Sequence, residues 1–448
     1  MIELTLSQAA TVLHAQFSGL DASFTGISTD TRQLKPGMLY VALRGQRFDG
    51  HQFLAQAQQQ GAIAAVVEQA VTLPNFPMLQ VENTLNALGE LAKLWRQRFT
   101  IPLIALTGSN GKTTTKEMIH AIFSQQGHGL ATQGNLNNEI GVPLTLFRLG
   151  QEHRYAVIEM GANHAGEISY LTQIAQPTVA LITQCAPSHL EGFKSLDGVA
   201  HAKGEIFSGL RANGVAVINV DDNYKNLWQQ LATPRQILSF GFNHAANVTA
   251  TNIHLTALGS EFTLQTEKGE IAVQLPLLGK HNIMNALAAS AAALACDIPL
   301  TTIRAGLQTI QSVKGRLQPK TARNGNLLLD DTYNANPTSL RAALEVLMHY
   351  PAPRWLVLGD MNELGQESAA LHQQSGKLAR ELGVEQLWAV GTMSKHAADS
   401  FGTPATHFDD HLSLIAALQS ELAQQQGITL LIKGSRGMTM EQVVQALQ

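Results

Sequence analysis

The sequence predicts an α/β protein of three domains: a small α/β N-terminal domain, a central doubly wound domain with an antiparallel excursion, and a C-terminal Rossmann-like domain. With 448 residues, 45% of them hydrophobic, the chain is long enough to bury more than one core. Apolar strand-like runs alternate with helical segments along most of its length, which is typical of parallel sheets covered by helices. A Gly-rich turn after one apolar run opens a helix, as in many ligand-binding α/β domains.

The bulk composition excludes several classes of protein. A formal net charge of −4 provides no basic field for non-specific nucleic-acid binding, so we expect no nucleic-acid partner. The two cysteines, Cys185 and Cys296, lack metal-ligand spacing and suit a reducing compartment. The N-terminus has no signal-peptide pattern, and the apolar stretch 283–298 is shorter than the roughly 20 residues of a membrane span. We therefore expect a cytoplasmic protein without membrane insertion.

The first domain is predicted to span residues 1–100. Strand-like runs at Met38–Leu43 and Ala62–Val67 alternate with helical patterns such as Leu85–Phe99. These short elements indicate a small α/β unit.

The second domain is predicted to span residues 101–314. It begins with the apolar run Leu103–Leu106, the Gly-rich turn and a helix at Thr114–Gln125. Further strands are expected at Tyr155–Glu159, Val179–Thr183 and Gly214–Asn219, with crossover helices between them. From Gln236 to Leu278 alternating runs separated by turn residues indicate the antiparallel excursion.

The third domain is predicted to span residues 315–448. Strands followed by helices are expected at Leu327–Asp330, Trp355–Leu358, Leu387–Val390 and Thr429–Ile432. This alternation predicts the Rossmann-like unit.

The Gly-rich turn is the strongest indication of function. Its residues are Thr107, Gly108, Ser109, Asn110, Gly111, Lys112 and Thr113. Glycines let backbone amides turn toward phosphate oxygens, the helix N-terminus adds positive potential, and a lysine here can reach the β and γ phosphates. Two residues rather than four separate Gly108 from the Gly-Lys pair, so the loop is shorter than the common form. The alternative is a Gly-rich turn with an incidental lysine, but the flanking strand and helix favour a P-loop that binds ATP and Mg²⁺.

The short loop followed by Lys116-Glu117-Met118 resembles that of the Mur ligase family and its relative, folylpolyglutamate synthase. Other segments resemble family motifs in the same order along the chain: 134–143 (GNLNNEIGVP), 159–161 (EMG), 188–193 (SHLEGF), 202–207 (AKGEIF) and 279–286 (GKHNIMNA). The resemblance covers nearly the whole chain and implies an ATP-dependent amide ligase.

The resemblance implies a set of metal-binding and catalytic residues. Thr113, Glu159, His189 and Lys203 would hold Mg²⁺, two ions being expected, and Lys112, Glu159, His189 and Lys203 would form the catalytic set. Lys203 matches the lysine that the family carbamylates, which would turn a cation into an anion. Taken singly, Glu159 could be a surface acid, His189 a structural histidine and Lys203 a solvated lysine. Their order within matching motifs favours the functional interpretation.

The resemblance also implies nucleotide contacts downstream. Asn282 would lie on the adenine side, Arg316 would bind phosphate, and Asp331 would bind the ribose. Without the family motifs, Asn282 and Arg316 would be interpreted as ordinary helix and linker residues.

Within the family, the segment 331–337 (DTYNANP) resembles members that add D-alanyl-D-alanine to UDP-N-acetylmuramoyl-tripeptide. These small molecules are the expected partners, the bond would form through an acyl phosphate, and the product would serve peptidoglycan synthesis. We expect a monomer. Residues expected at the UDP end are Ser28, Asp30, Arg32 and Arg47, and candidates near the acceptor are Tyr333, Asn334 and Asn336. The alternative for Asp30 and Arg32 is a surface ion pair.

Two other functions remain open. The first is another Mur-type or folylpolyglutamate-type amide ligase. A folate or amino-acid polymer ligase would share the phosphate loop, but would not explain the N-terminal UDP segments or the run 333–336 (YNAN). A nucleotide-regulated binding protein would use the loop as a switch, but has no evident need for Glu159, His189 and Lys203. The segment 359–365 (GDMNELG) departs from the family at Asn362, where an apolar residue is usual. We expect this departure to leave the chemistry unchanged.

Overall fold

The computed structural model describes residues 4–45, 48–69, 71, 73–243 and 245–448. In this part of the chain, sheets of five, nine and six strands form the centres of an N-terminal, a central and a C-terminal domain, and two further sheets have two strands each. None of the helices in these ranges is both long and apolar enough to cross a membrane.

The N-terminal domain contains short strands and helices. Its strands are β1 Leu4–Thr5, β2 Gln16–Ser18, β3 Ser23–Phe24, β4 Ile27–Ser28, β5 Leu39–Val41, β6 Arg44–Gly45, β7 Phe48–Asp49, β8 Ala64–Val67 and β9 Met78–Gln80. Its helices are α1 Leu6–Leu13, α2 Leu54–Gln59 and α3 Thr84–Arg96. The main sheet has the order β2-β9-β8-β5-β4 and is parallel except at β2.

Helix α3 attaches this domain to the next one. Its apolar face shares one hydrophobic core with residues of the central domain, such as Leu171. Trp95 donates from Nε1 to the carbonyl oxygen of Leu149 at 3.1 Å. The fully buried Arg96 donates to the carbonyl oxygens of Ala175, Phe99 and Ile101. The first two domains are therefore joined by core packing as well as by the chain.

The central domain is built on the nine-stranded sheet. Its strands are β10 Leu103–Thr107, β11 Gly129–Ala131, β12 Tyr155–Glu159, β13 Val179–Ile182, β14 Val215–Asn219, β15 Gln236–Phe240, β16 Val248–Thr256, β17 Gly259–Thr266 and β18 Gly269–Leu275. Its helices are α4 Lys112–Ser124, α5 Gly141–Leu146, α6 Glu167–Ala175, α7 Leu190–Phe193, α8 Leu196–Gly204, α9 Lys225–Ala232, α10 Lys280–Leu294 and α11 Leu300–Thr309. The sheet order is β11-β12-β10-β13-β14-β15-β16-β17-β18, with parallel pairing from β11 to β15. The doubly wound prediction is confirmed.

The antiparallel excursion starts later than the sequence pattern indicated. Strand β15 pairs in parallel with β14, and β16 begins in parallel with β15. Among the described residues of the central sheet, antiparallel pairing is confined to β16, β17 and β18. The prediction that the excursion begins at Gln236 is wrong, because β15 continues the parallel sheet.

The C-terminal domain is built on the six-stranded sheet. Its strands are β19 Gln318–Thr321, β20 Leu327–Asp331, β21 Arg354–Gly359, β22 Gln386–Val390, β23 Ala405–Phe408 and β24 Thr429–Lys433. Its helices are α12 Pro337–Leu347, α13 Ser368–Leu382, α14 Ser394–Phe401, α15 His411–Leu422 and α16 Glu441–Leu447. The order is β19-β20-β24-β21-β22-β23, and only β19 runs antiparallel to its neighbour. The predicted Rossmann-like alternation is confirmed.

Short 3₁₀ segments occur at connections in all three domains. They lie at Thr31–Gln33, Gly50–Phe53, Glu205–Gly209, Gly365–Glu367 and Arg436–Met438.

Candidate active site

A cavity of about 880 Å³ lies between the central and C-terminal domains. Its wall includes residues at the carboxyl ends of parallel strands from both sheets, which is where ligands bind in open α/β folds. Sequence-predicted residues that line it are Ser109, Asn110, Gly111, Lys112, Glu159, His189, Asn282, Arg316, Asp331, Tyr333, Asn334 and Asn336. The structure thus brings together residues that are more than two hundred positions apart in the chain.

The phosphate loop connects β10 to the first turn of α4. Gly108 and Gly111 have φ values of +147° and +81°, which disfavour other residues. A Cβ atom on Gly108 would lie 1.9 Å from the Thr183 hydroxyl oxygen. The Lys112 ammonium donates to the Gly108 carbonyl oxygen at 2.7 Å, so the lysine folds back over its own loop. Burial lowers the pKa of Lys112. The resulting turn has the backbone form that can surround phosphate oxygens.

Two other residues of the loop have structural roles. The Thr107 hydroxyl donates to the carbonyl oxygen of Met160 at 2.8 Å and ties β10 to the end of β12. The Ser109 hydroxyl donates to the carbonyl oxygen of Ala186 at 2.8 Å. These bonds hold the loop against the neighbouring strand ends.

Arg316 reaches from the start of the C-terminal domain to the phosphate loop. Its Nη2 atom donates to the Thr113 hydroxyl oxygen at 2.9 Å, and the guanidinium carbon lies 4.3 Å from the centre of the Tyr333 ring. Its Nε atom is buried and finds no acceptor among the described residues. A buried guanidinium nitrogen without an acceptor suits an incoming phosphate oxygen.

Glu159 provides the clearest test of whether a cation fits here. It ends β12 and is only 3% exposed. Its Oε1 atom accepts from the Asn137 amide at 3.0 Å, whereas Oε2 is buried without a donor among the described residues. Leaving a buried carboxylate oxygen unpaired is costly, so this atom suits a bound cation.

His189 lies between β13 and α7 and contacts the C-terminal domain. Its Nδ1 atom is 2.6 Å from the Glu363 carboxylate, which leaves Nε2 free of that contact. Burial, together with the nearby cations Lys112 and Lys203, lowers the pKa of His189 to about 4. The imidazole is therefore neutral near pH 7, as a metal ligand must be.

Lys203 lies on α8 and does not line the cavity. It is 1% exposed, and its ammonium lies 5.4 Å from the centre of the Phe193 ring. Within the ranges that the structure covers, no carboxylate forms an ion pair with it. Burial and the nearby Lys112 lower the pKa of Lys203 to about 7. Among those same residues, no three His, Cys, Asp or Glu side chains cluster as metal ligands.

Asn282 and Asp331 both form hydrogen bonds within the protein. Asn282, at the start of α10, donates to the Leu278 carbonyl oxygen at 2.8 Å. Asp331, at the end of β20, accepts from the backbone N–H of Leu317 at 3.1 Å and from the ammonium of Lys433. The Asp331 carboxylate is therefore already paired with Lys433, and it is not a free hydrogen-bond acceptor.

The residues predicted near the acceptor substrate differ in their exposure and in their hydrogen bonds. Asn334 is exposed, and its backbone carbonyl oxygen accepts from Lys433 at 2.9 Å. Asn336 caps the N-terminus of α12, and its amide donates to the Asn110 side-chain oxygen at 2.7 Å. Asn336 therefore joins the C-terminal domain to the phosphate loop.

The N-terminal candidates lie away from this cavity. Asp30 and Arg32 form an ion pair of 2.8 Å, with the Arg32 side chain 85% exposed. The Ser28 hydroxyl donates to the Asp30 carbonyl oxygen at 2.9 Å. Asp30 and Arg32 therefore form the surface ion pair that was the alternative interpretation of their sequence. Arg47 lies outside the described residues.

Sequence reasoning assigned no role to three residues that the structure places at this site. Lys433 is 2% exposed and lines the cavity. Glu363 and Arg436 line a second cavity of about 250 Å³, which also contacts His189 and Tyr333. The segments 359–365 and 433–436 begin at the last residues of β21 and β24, and that position at strand ends was the signal that could have found them.

Comparison with known proteins identifies the family. Three family models match in order: "Mur ligase family, catalytic domain" at residues 23–96, "Mur ligase middle domain" at 106–293 and "Mur ligase, glutamate ligase domain" at 315–436. The chain belongs to the Mur ligase family. This Mur ligase is 49% identical to the UDP-N-acetylmuramoyl-tripeptide–D-alanyl-D-alanine ligase of Escherichia coli (strain K12), with 100% of the chain and 99% of that protein covered. It is 34% identical to the enzyme of the same name from Bacillus subtilis (strain 168), with 94% of the chain and 93% of that protein covered.

Solved structures agree with this assignment. MurF from Acinetobacter baumannii matches this Mur ligase with a TM-score of 0.95 and 38% identity over 100% of the chain and 99% of that structure. MurF ligase from Thermotoga maritima in complex with ADP matches with a TM-score of 0.83 and 25% identity over 94% of the chain and 96% of that structure. The three-domain architecture is that of the family.

Proposed function

We propose that this Mur ligase uses ATP to join the terminal carboxylate of UDP-N-acetylmuramoyl-tripeptide to the amine of D-alanyl-D-alanine, giving the UDP-muramoyl-pentapeptide of peptidoglycan synthesis. Full-length relatives with that name support the reaction. The observation that carries the proposal is the cavity between two domains, where the phosphate loop, Glu159, His189 and Arg316 face one space.

ATP is proposed to bind with its phosphates in the loop that runs from Thr107 to Thr113. Lys112 would neutralise the β and γ phosphates, and Arg316 would present its unpaired Nε atom to a phosphate oxygen. Asn282 is assigned to the adenine side, and Asp331 is assigned to the ribose. The ADP complex of the Thermotoga maritima enzyme supports nucleotide binding by this architecture.

Two Mg²⁺ ions are proposed to bind to Thr113, Glu159, His189 and Lys203. The buried, unpaired Glu159 oxygen and the neutral His189 imidazole are suited to a divalent cation. When bound, Mg²⁺ would shield phosphate oxygens as the anionic carboxylate approaches.

Lys203 is proposed to be carbamylated. Lys203 is buried, has no carboxylate partner among the described residues and has a lowered pKa, so it is available as a neutral amine, the form that reacts with carbon dioxide. The carbamate would add a second anionic ligand to that of Glu159.

The protein residues act mainly by positioning and by compensating charge. The tripeptide carboxylate attacks the γ-phosphorus, ADP leaves, and an acyl phosphate forms. The dipeptide amine then attacks the acyl carbon, phosphate leaves, and the nitrogen loses a proton. Lys112 and Arg316 stabilise the charge that develops on the transferred phosphoryl group, and no side-chain nucleophile is involved.

The dipeptide is assigned to the second cavity, beside Tyr333, Asn334 and Asn336. Arg436 lines this cavity with a side chain that is 63% exposed and an ion pair to Glu441 of 3.0 Å. A guanidinium there suits the terminal carboxylate of the dipeptide. Ser28, Asp30, Arg32 and Arg47 are retained as proposals for the UDP end.

We also propose that the protein is a cytoplasmic monomer. Its three domains are assigned to residues 1–100, 101–314 and 315–448. The three family models begin and end within these limits, which supports them.

The proposed function is tested by phosphate release from ATP with the UDP-muramoyl-tripeptide. D-alanyl-D-alanine, free D-alanine and L-glutamate serve as parallel acceptors, and folate with glutamate tests the folylpolyglutamate alternative. Release that requires the dipeptide is expected. Release with another acceptor would reassign the substrate, and no release with any acceptor would favour a nucleotide-regulated binding protein.

A further inference from the structure

His189 and Glu363 form a two-point contact between the central and C-terminal domains. The Nδ1 atom of His189 lies 2.6 Å from the Glu363 carboxylate. The next backbone N–H, that of Leu190, donates to the Glu363 carbonyl oxygen at 3.1 Å. Glu363, a residue of the C-terminal domain, therefore contacts both the imidazole of His189 and the backbone next to it.

The backbone on both sides of this contact is unusual. His189 and Glu363 have φ values of +52° and +63°, in the left-handed region that residues other than glycine rarely adopt. Burial does not account for the conformation of Glu363, because its side chain is 54% exposed. The adjacent Asn362 N–H donates to the Ser435 hydroxyl oxygen at 2.7 Å, which anchors the loop to the C-terminal sheet. The loop is thus held so that Glu363 faces His189.

The contact leaves the second ring nitrogen of His189 available. A histidine that binds a metal through one nitrogen usually donates its other N–H to a carboxylate or carbonyl, which sets the tautomer and the ring orientation. The Glu363 carboxylate lies 2.6 Å from Nδ1, so Nε2 is the nitrogen left to carry the lone pair toward a cation. His189 also lines the large cavity together with Glu159, whose Oε2 atom is unpaired.

We propose that Glu363 is a positioning residue that orients His189 for a divalent cation, so that the cation site is complete only when the C-terminal domain is docked on the central domain. The inference rests on the proposed function, because it takes His189 as a cation ligand. It adds a residue from the other domain and a coupling between docking and cation affinity.

The coupling works in both directions. If docking of the C-terminal domain improves cation affinity through Glu363, then cation binding must favour the docked arrangement by the same factor. Removing the Glu363 carboxylate should weaken both effects without removing any direct cation ligand.

Manganese binding tests the proposal without relying on turnover. Mn²⁺ is titrated into the full-length protein, with and without a non-hydrolysable ATP analogue, and free Mn²⁺ is measured by electron paramagnetic resonance. Glu363→Ala is expected to weaken Mn²⁺ binding about 10- to 100-fold. Glu363→Gln, whose amide oxygen can still accept from Nδ1, should recover part of the loss. Glu381→Ala, an exposed change on α13, is the matched control and should bind Mn²⁺ as the parent does.

A double-mutant cycle distinguishes failure of the Glu363 proposal from failure of the proposed cation site. If Glu363 acts through His189, adding Glu363→Ala to His189→Ala should cause no further loss. Parent-like Mn²⁺ affinity in Glu363→Ala, with weakened binding in His189→Ala, would overturn the proposal and leave the proposed function intact. Parent-like affinity in both variants would instead remove His189 from the cation site. Scattering should show that Mn²⁺ with the ATP analogue compacts the parent more than it compacts Glu363→Ala, and equal compaction would contradict the coupling.

Discussion

The guanidinium of Arg316 donates to the hydroxyl oxygen of Thr113 at 2.9 Å, although 203 positions separate the two residues. The bond joins the first turn of α4 to the segment that begins the C-terminal domain. It places a cation directly at the phosphate loop, where a second domain can contribute to phosphoryl transfer.

Replacing Arg316 by Ala is expected to lower kcat/KM for ATP by about 100-fold, because a fixed charge on the transferred phosphoryl group is lost. Arg316→Lys should recover little, since an ammonium cannot reproduce the guanidinium fork. Steady-state kinetics with varied ATP measure both effects. The exposed Arg304→Ala on α11 is the control, and parent-like kinetics in Arg316→Ala would exclude a phosphate role.

Replacing Lys203 by Ala is expected to lower turnover about 100-fold or more, because the additional anion of the cation site is lost. Bicarbonate or a short carboxylate such as acetate should restore part of the activity. Carbon-13 NMR with labelled bicarbonate should detect a carbamate signal in the parent and none in the variant.

The exposed Lys395→Ala on α14 serves as the control for this change. A fully active Lys203→Ala variant, or a parent without a carbamate signal, would contradict the proposal that Lys203 is carbamylated.

Replacing Arg436 by Ala is expected to raise KM for D-alanyl-D-alanine about tenfold while leaving KM for ATP unchanged. One charge-assisted hydrogen bond to the dipeptide carboxylate would be lost, worth about 1.5 kcal/mol because the arginine is largely exposed. Initial rates with varied dipeptide measure the change, and the exposed Arg148→Ala is the control. An unchanged KM for the dipeptide would move the acceptor carboxylate elsewhere.

Replacing Arg96 by Met is expected to destabilise the first two domains by about 3 kcal/mol, because three backbone carbonyl groups lose a buried donor. Burial lowers the pKa of Arg96 to about 10, so the side chain remains a charged donor at neutral pH. Urea unfolding followed by tryptophan fluorescence measures the loss. Lys93→Met on the same helix should change the unfolding free energy by less than about 1 kcal/mol. Equal stability of the two variants would contradict a role of Arg96 at this junction.

Features with a local chemical signal were predictable from the sequence. Strands β10, β12 and β20 are short apolar runs bounded by turn residues, and the phosphate loop carries glycines and a lysine at a recognisable spacing. The ends of parallel strands meet at one edge of a sheet, which is why Glu159 could be expected near Lys112.

Contacts between domains were not predictable, because they depend on how two folded units meet. The Asn110 and Asn336 side chains join across 226 positions, and no local pattern indicates that pairing. Lys433 was given no role from the sequence, but β24 lies between β20 and β21, so its last residue is buried. Strand β15 showed the pattern of the excursion, yet its parallel pairing with β14 is set by tertiary structure.

Oxygen transfer from a labelled substrate tests whether the amide bond forms through an acyl phosphate. The UDP-muramoyl-tripeptide, with oxygen-18 in its terminal carboxylate, is incubated with the enzyme, ATP, Mg²⁺ and D-alanyl-D-alanine, and the products are analysed by mass spectrometry. We predict a pentapeptide product and one labelled oxygen in the released phosphate for each amide formed. Absence of the pentapeptide, or its formation with unlabelled phosphate, would contradict ligation through an acyl phosphate.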